Sequence, residues 1–170
     1  MKKLINKAWL VLLSVMIFSG LFFTPQSVAV AAPPAQRNVS AILKNAYLVE
    51  QNWLLRQSNA IEKSITSAKN LQTVINDAAA KGIDVTALQA ALDVFNSSMP
   101  AIQASHQQAA DILAAHNGFD SNGEVTDATS ARETLVSARQ SLSEAHFALT
   151  NAVLTLKNAI LTWKSTNNIQ

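Results

Sequence analysis

Between Ala131 and Trp163 one spacing repeats without interruption, as Ala131, Leu135, Ala138, Leu142, Ala145, Leu149, Ala152, Leu156, Ala159 and Trp163 follow at alternating steps of four and three. That heptad period keeps one seam of an α-helix turned toward partner helices. Alternating alanine and leucine lets a neighbouring backbone come close at the alanines while leucine knobs fill the holes beside them. The same steps occur earlier, in Leu88, Leu92, Phe95, Met99, Ile102, His106, Ala109, Leu113 and His116. A first helix is less regular, with Ile61, Ile65, Ala68, Leu71, Ile75 and Ala78 forming a stripe over its second half. Three stripes joined by two turns predict an all-α fold, an antiparallel three-helix bundle in up-down-up order with coiled-coil-like heptad packing.

The boundaries follow from capping chemistry. Asn38 or Ser40 can accept from the free amides of a helix spanning 39–80. Lys81-Gly82 ends it, glycine taking the left-handed conformation and Ile83 folding back on the last turn. Asp84 caps a second helix, 85–116, which stops at Asn117-Gly118. Phe119 to Thr126 is a loop, and Asp127 or Ser130 starts a third helix, 128–164, with Ser130 and Glu133 spaced as a capping box. Residues 38–165 thus form one domain, and 166–170 a tail. Pro100 removes an amide inside the second helix, so a kink near Ser97 is expected, the bundle staying intact.

Ahead of the bundle stands a different kind of segment. Lys2, Lys3 and Lys7 precede an apolar run from Ala8 to Phe23, and a more polar stretch ends in Ala29-Val30-Ala31. This is the three-part pattern of a cleavable secretory signal peptide, residues 1–31. Retention as an anchor is the alternative, but the run is shorter than the roughly 20 residues that span a bilayer. Pro33-Pro34 makes 32–37 a short extended leader. The reading is of an exported protein, periplasmic, cell-surface or extracellular, with no stable membrane insertion of the mature chain. The chain has no cysteine, which excludes a lipid-modified cysteine and any disulfide framework. Its net charge of +2 depends on the signal segment. With Lys2, Lys3 and Lys7 removed from 13 basic residues, the 11 acids outnumber the remaining bases by one. A near-neutral chain lacks the basic footprint of a nucleic-acid binder.

Catalytic and metal motifs are weak. Gly118 to Glu124 places oxygen-bearing residues at Asp120, Asn122 and Glu124, but Gly123 and Ala131 stand where a calcium loop would not put them, so the segment reads as a turn. His106 and His116, ten residues apart on one helix, are separated by about 15 Å, too far to share an ion, and His146 is expected well away from both. No phosphate loop, nucleophile elbow or converging acidic pair is present. No cofactor, no metal and no enzymatic activity are expected.

What remains is surface. A 42-residue first helix outruns the second, and its projecting start carries Val39, Ile42, Leu43, Ala46, Tyr47, Val49 and Trp53. Soluble monomers seldom leave such a stripe bare. Either the Phe119 to Val125 loop covers it, or it pairs with a second copy or another envelope protein. The expected role is a non-catalytic interaction or structural module of the cell envelope or extracellular space. Alternatives are a holdase-like chaperone and an amphipathic bundle that binds lipid or a small ligand, the latter disfavoured by a polar face poor in Lys and Arg.

Overall fold

A computed structural model describes residues 39–167, so the expected signal peptide, the leader and the last three residues lie outside the described residues. Three helices follow in order: α1 (Val39–Ala79), α2 (Thr86–Ala114) and α3 (Ala128–Thr166). They form one all-helical bundle, with α1 and α3 parallel and α2 antiparallel to both. No helix among the described residues is long and apolar enough to cross a membrane.

The turn after α1 closes as a Schellman motif. Gly82 has φ +74°, its amide donates to Ala79 O, and the amide of Ile83 reaches back to Ala78 O. Two carbonyls that the helix end would leave bare are thereby satisfied. Ile83 packs on the core, as its position after the glycine requires. Asp84 is expected to cap α2, but α2 starts at Thr86 with Val85 at the N-cap and no side-chain cap bond; Asp84 stands one residue too early and accepts from the Thr86 amide at 2.9 Å as a turn before the helix.

Three further local expectations need correction. First, α2 ends at Ala114 rather than at His116, because His116 turns into the left-handed region at φ 56°. Second, Ser130 does not cap α3: Asp127 does, its carboxylate accepting from the Ser130 amide at 2.6 Å. Aspartate precedes the first turn and reaches the free amide, whereas Ser130 already lies within the helix. Third, Ser40 likewise lies within its helix, since α1 begins at Val39. The expectation that α2 stays one element despite Pro100 agrees with the structure, in which the helix runs through it. Pro100 is exposed, so its missing amide costs no buried partner. The hydroxyls of Ser97 and Ser98 donate to Val94 O and Phe95 O in the turn before it.

The seams of α2 and α3 form the core. Ala131, Ala138 and Ala145 are fully buried, and α2 and α3 pack against each other more extensively than either does against α1. Alanine permits this, since it adds only a methyl group between the backbones. The buried side chains divide into two clusters. The larger includes Ile61, Leu71, Leu88, Leu92, Phe95, Leu156 and Trp163, whose indole donates to Asp84 O at 2.7 Å. The smaller gathers Leu43, Tyr47, Leu113, Phe119, Leu135 and Ala138 at the other end.

Candidate interaction surface and the polar seam of the first helix

Between the two apolar clusters lies a layer of polar side chains that periodicity does not reveal. On α1, Leu43, Glu50, Gln57, Ser64, Leu71 and Ala78 are all buried, each seven residues after the last. The first helix therefore has a continuous heptad seam. It looked irregular because three successive seam positions are polar.

Each of the first two has a partner from another helix. Glu50 is 0% exposed, and its Oε1 accepts from both Nε and Nη2 of Arg139 on α3. The Arg139 side chain is 61% exposed, so the pair has one dry end and one wet end. Glu50 Oε2 has no hydrogen-bond partner among the described residues. Seven residues on, Gln57 donates to Leu142 O at 2.9 Å, and its Oε1 lies 3.0 Å from His106 Nδ1. Burial lowers the pKa of His106, since a charged imidazole loses hydration there. One carboxylate neutralised by a guanidinium and one imidazole facing an amide are spread over two helical turns. They hold α1 to the α2–α3 hairpin.

The apolar stripe at the start of α1 is divided by the structure. Leu43 and Tyr47 are buried and Ala46 is half-buried against them, so these three face the protein's own interior. The reason is the loop, which folds over them. Phe119 stacks on Tyr47 with ring centroids 4.4 Å apart, Val125 packs beside it, and Phe119 and Val125 form an isolated antiparallel bridge. The Tyr47 hydroxyl donates to Leu113 O at 2.7 Å, at the end of α2, and burial raises its pKa. Lys44 pairs with Glu124 across the same seam. Val39, Ile42 and Val49 remain exposed, as do Leu48 and Leu55. Trp53 is half-buried, its ring edge-on to His146 of α3.

Asp120 organises the loop. Its Oδ1 accepts from the amides of Asn122 and Glu124, and these bonds hold its pKa below the ordinary carboxylate value, Glu124 contributing most. With that oxygen committed to amides and Glu124 paired with Lys44, the segment is built as a turn. The histidines stand apart in place: His106 meets Gln57, His116 lies beside Tyr47, and His146 sits on the outside between Trp53 and Phe147. Among the described residues no three His, Cys, Asp or Glu side chains converge to hold a metal ion. A shallow open recess between α2 and α3, bordered by Asp111, Ile112, Ala115, Asn117, Glu133 and Thr134, has a mixed polar and apolar lining and carries no unpaired buried group.

A second exposed apolar row lies on α3, where Phe147, Leu154 and Leu161 recur every seven residues, each more than half exposed. Sequence periodicity pointed to the seam and passed over this flank. Compared with protein-family models, curated proteins and solved structures, the chain has no match.

Proposed function

We propose that this protein is a non-catalytic interaction or structural module that works outside the cytoplasm, in the cell envelope or extracellular space, after removal of residues 1–31. The observation that carries the reading is the outer face of α1. Ile42 and Val49 are more than half exposed, one heptad apart, although the loop beside them has already covered Leu43 and Tyr47. An aliphatic row left bare where the same helix could have carried polar residues is the usual mark of a surface that a partner covers. A second copy or another envelope protein is the partner class, engaged as one helix engages another. Export rests on the leader pattern in residues 1–31. Intact mass of the protein recovered outside the cytoplasm should correspond to a chain beginning within a few residues of Ala32.

The surface is tested by Ile42→Ser/Val49→Ser, with a photo-crosslinking residue placed at position 49 of the otherwise unchanged protein in its own cells. The expected result is a discrete adduct at position 49, together with loss of the oligomer or partner complex in the serine variant at an unchanged melting temperature. Absence of any adduct from a protein that is monomeric, with the serine variant indistinguishable from it, would overturn the reading.

A further inference from the structure

We propose that the outer face of α1 docks on a second copy of this chain, at the acidic recess between that copy's α2 and α3. The proposal rests on the reading of this face as an interaction surface and names its partner.

Charge is unevenly distributed along the chain. From Gly82 to Ala131 there is no lysine or arginine, while Asp84, Asp93, Asp111, Asp120, Glu124 and Asp127 all fall there. Folding turns that asymmetry into two faces of opposite sign. On the face shared by α1 and α3, Arg56 and Lys63 continue the row of Ile42 and Val49 at the same seven-residue step, three residues after Trp53 and Ala60. Trp53 meets His146 of α3, and residues three apart on a helix are neighbours, so the row stays on that flank. Arg132 lies seven residues before Arg139, which reaches Glu50 of α1, and Lys157 lies about three turns after His146. Arg56, Lys63, Arg132 and Lys157 are exposed and make no ion pair among the described residues. Arg139 is occupied by Glu50, and Lys164 is engaged elsewhere, so neither is counted with them. Asp77, near the Gly82 turn, is an exposed acid at the far end of the same row.

The recess between α2 and α3 is the counterpart. Asp111 and Glu133 border it, Asp127 caps α3 at its end by accepting from the amide of Ser130, and Glu144 lies seven residues after Ser137 of its wall. All four acids are exposed, and no lysine or arginine lines the recess. Ile112 and Ala115 add an apolar patch between them. Carboxylates around that patch match Ile42 and Val49 with cations around them. The acids from Asp127 to Glu144 extend about 25 Å along α3, within the roughly 37 Å from Arg132 to Lys157. The other charges select no partner. Glu62 and Lys69, of opposite sign, flank the row of Gln72, which bonds Gln89 of α2, and Asp93 accepts from Gln89. Lys44 pairs with Glu124, and Lys81, Asp84 and Asp120 stand in turns. Four free cations on one face and four acids on another nearly cancel, as a self-docking chain requires and a binder of polyanions does not. Like faces would repel, so the basic face of one copy meets the acidic face of the next, a heterologous contact.

The test mixes charge-reversed variants of the processed protein. Sedimentation equilibrium of the unmodified protein in about 20 mM salt should show a mass that rises above the monomer with concentration, and about 500 mM salt should return it to the monomer. Arg56→Glu/Lys63→Glu/Lys157→Glu makes both faces acidic, and Asp111→Lys/Glu133→Lys/Glu144→Lys makes both basic. Each variant alone should associate at least about tenfold more weakly at an unchanged melting temperature, and their equimolar mixture should regain the association. If the first reversal lowers the melting temperature, Arg56→Gln/Lys63→Gln/Lys157→Gln should give the same loss by removing charge without reversing it. A monomer at every concentration in low salt, association that either reversal leaves intact, or a mixture no stronger than its components would each overturn the proposal. So would tight binding of inorganic polyphosphate by a chain that stays monomeric. An adduct at position 49 joining the chain to a different protein, while the purified chain stays monomeric, overturns this partner and leaves the outer-face reading in place; a monomer with no adduct of any kind overturns both.

Discussion

Replacing Arg139 by methionine would leave Glu50 as a buried carboxylate without its only partner. Glu50 is 0% exposed, Arg139 supplies both hydrogen bonds to Oε1, and Oε2 has none. Removing one member of a buried pair costs about 3–5 kcal/mol, because the remaining charge stays desolvated. At an m-value of about 2 kcal/mol per molar urea, the unfolding midpoint should fall by about 2 M. Circular dichroism at 222 nm, read as a function of urea at pH 7, measures this directly. One comparison isolates the cause. The double variant Glu50→Met/Arg139→Met should recover most of the loss or exceed the unmodified protein, as apolar replacements of buried ion pairs often do. A loss below about 1 kcal/mol at pH 7, or a double variant no more stable than Arg139→Met alone, would refute the argument that Glu50 is held dry by this pairing.

Two further predictions concern glycine and histidine. Gly118→Ala should destabilise the protein by more than about 3 kcal/mol, because a φ of +81° combines with a new Cβ placed 2.1 Å from the Ala131 amide nitrogen. Gly82→Ala, where φ is +74° but the space is open, should cost only about 1–2 kcal/mol, the left-handed penalty alone. Equal losses in thermal unfolding would mean that close packing at Gly118 plays no part. For His106, burial lowers the folded-state pKa, so the fold favours the neutral ring. Its contribution is present above the unfolded value near 6.5 and is lost as pH falls through the lowered one. Urea midpoints between pH 7.5 and 5 should show a decline that His106→Gln reduces, and an identical decline in that variant would contradict the assignment.

The three helices, their turns and the seams of α2 and α3 were legible in the amino-acid order because they depend on local rules. Glycine at positive φ ends α1, heptad leucines and alanines define one face, and proline on an exposed face is tolerated. The α1 seam was not legible over its first half. A glutamate at a seam position reads as solvent-facing unless the guanidinium that accompanies it is known, and Arg139 lies 89 residues away in the chain. Gln57 meets Leu142 and His106 across similarly long separations. The stripe at the start of α1 was visible as apolar, yet only the folded loop divides it, burying Leu43 and Tyr47 under Phe119 and leaving Ile42 and Val49 outside. Periodicity reports which residues share a face of one helix. Which of those faces is covered, and by what, depends on contacts between distant segments, and those exist only once the helices have packed.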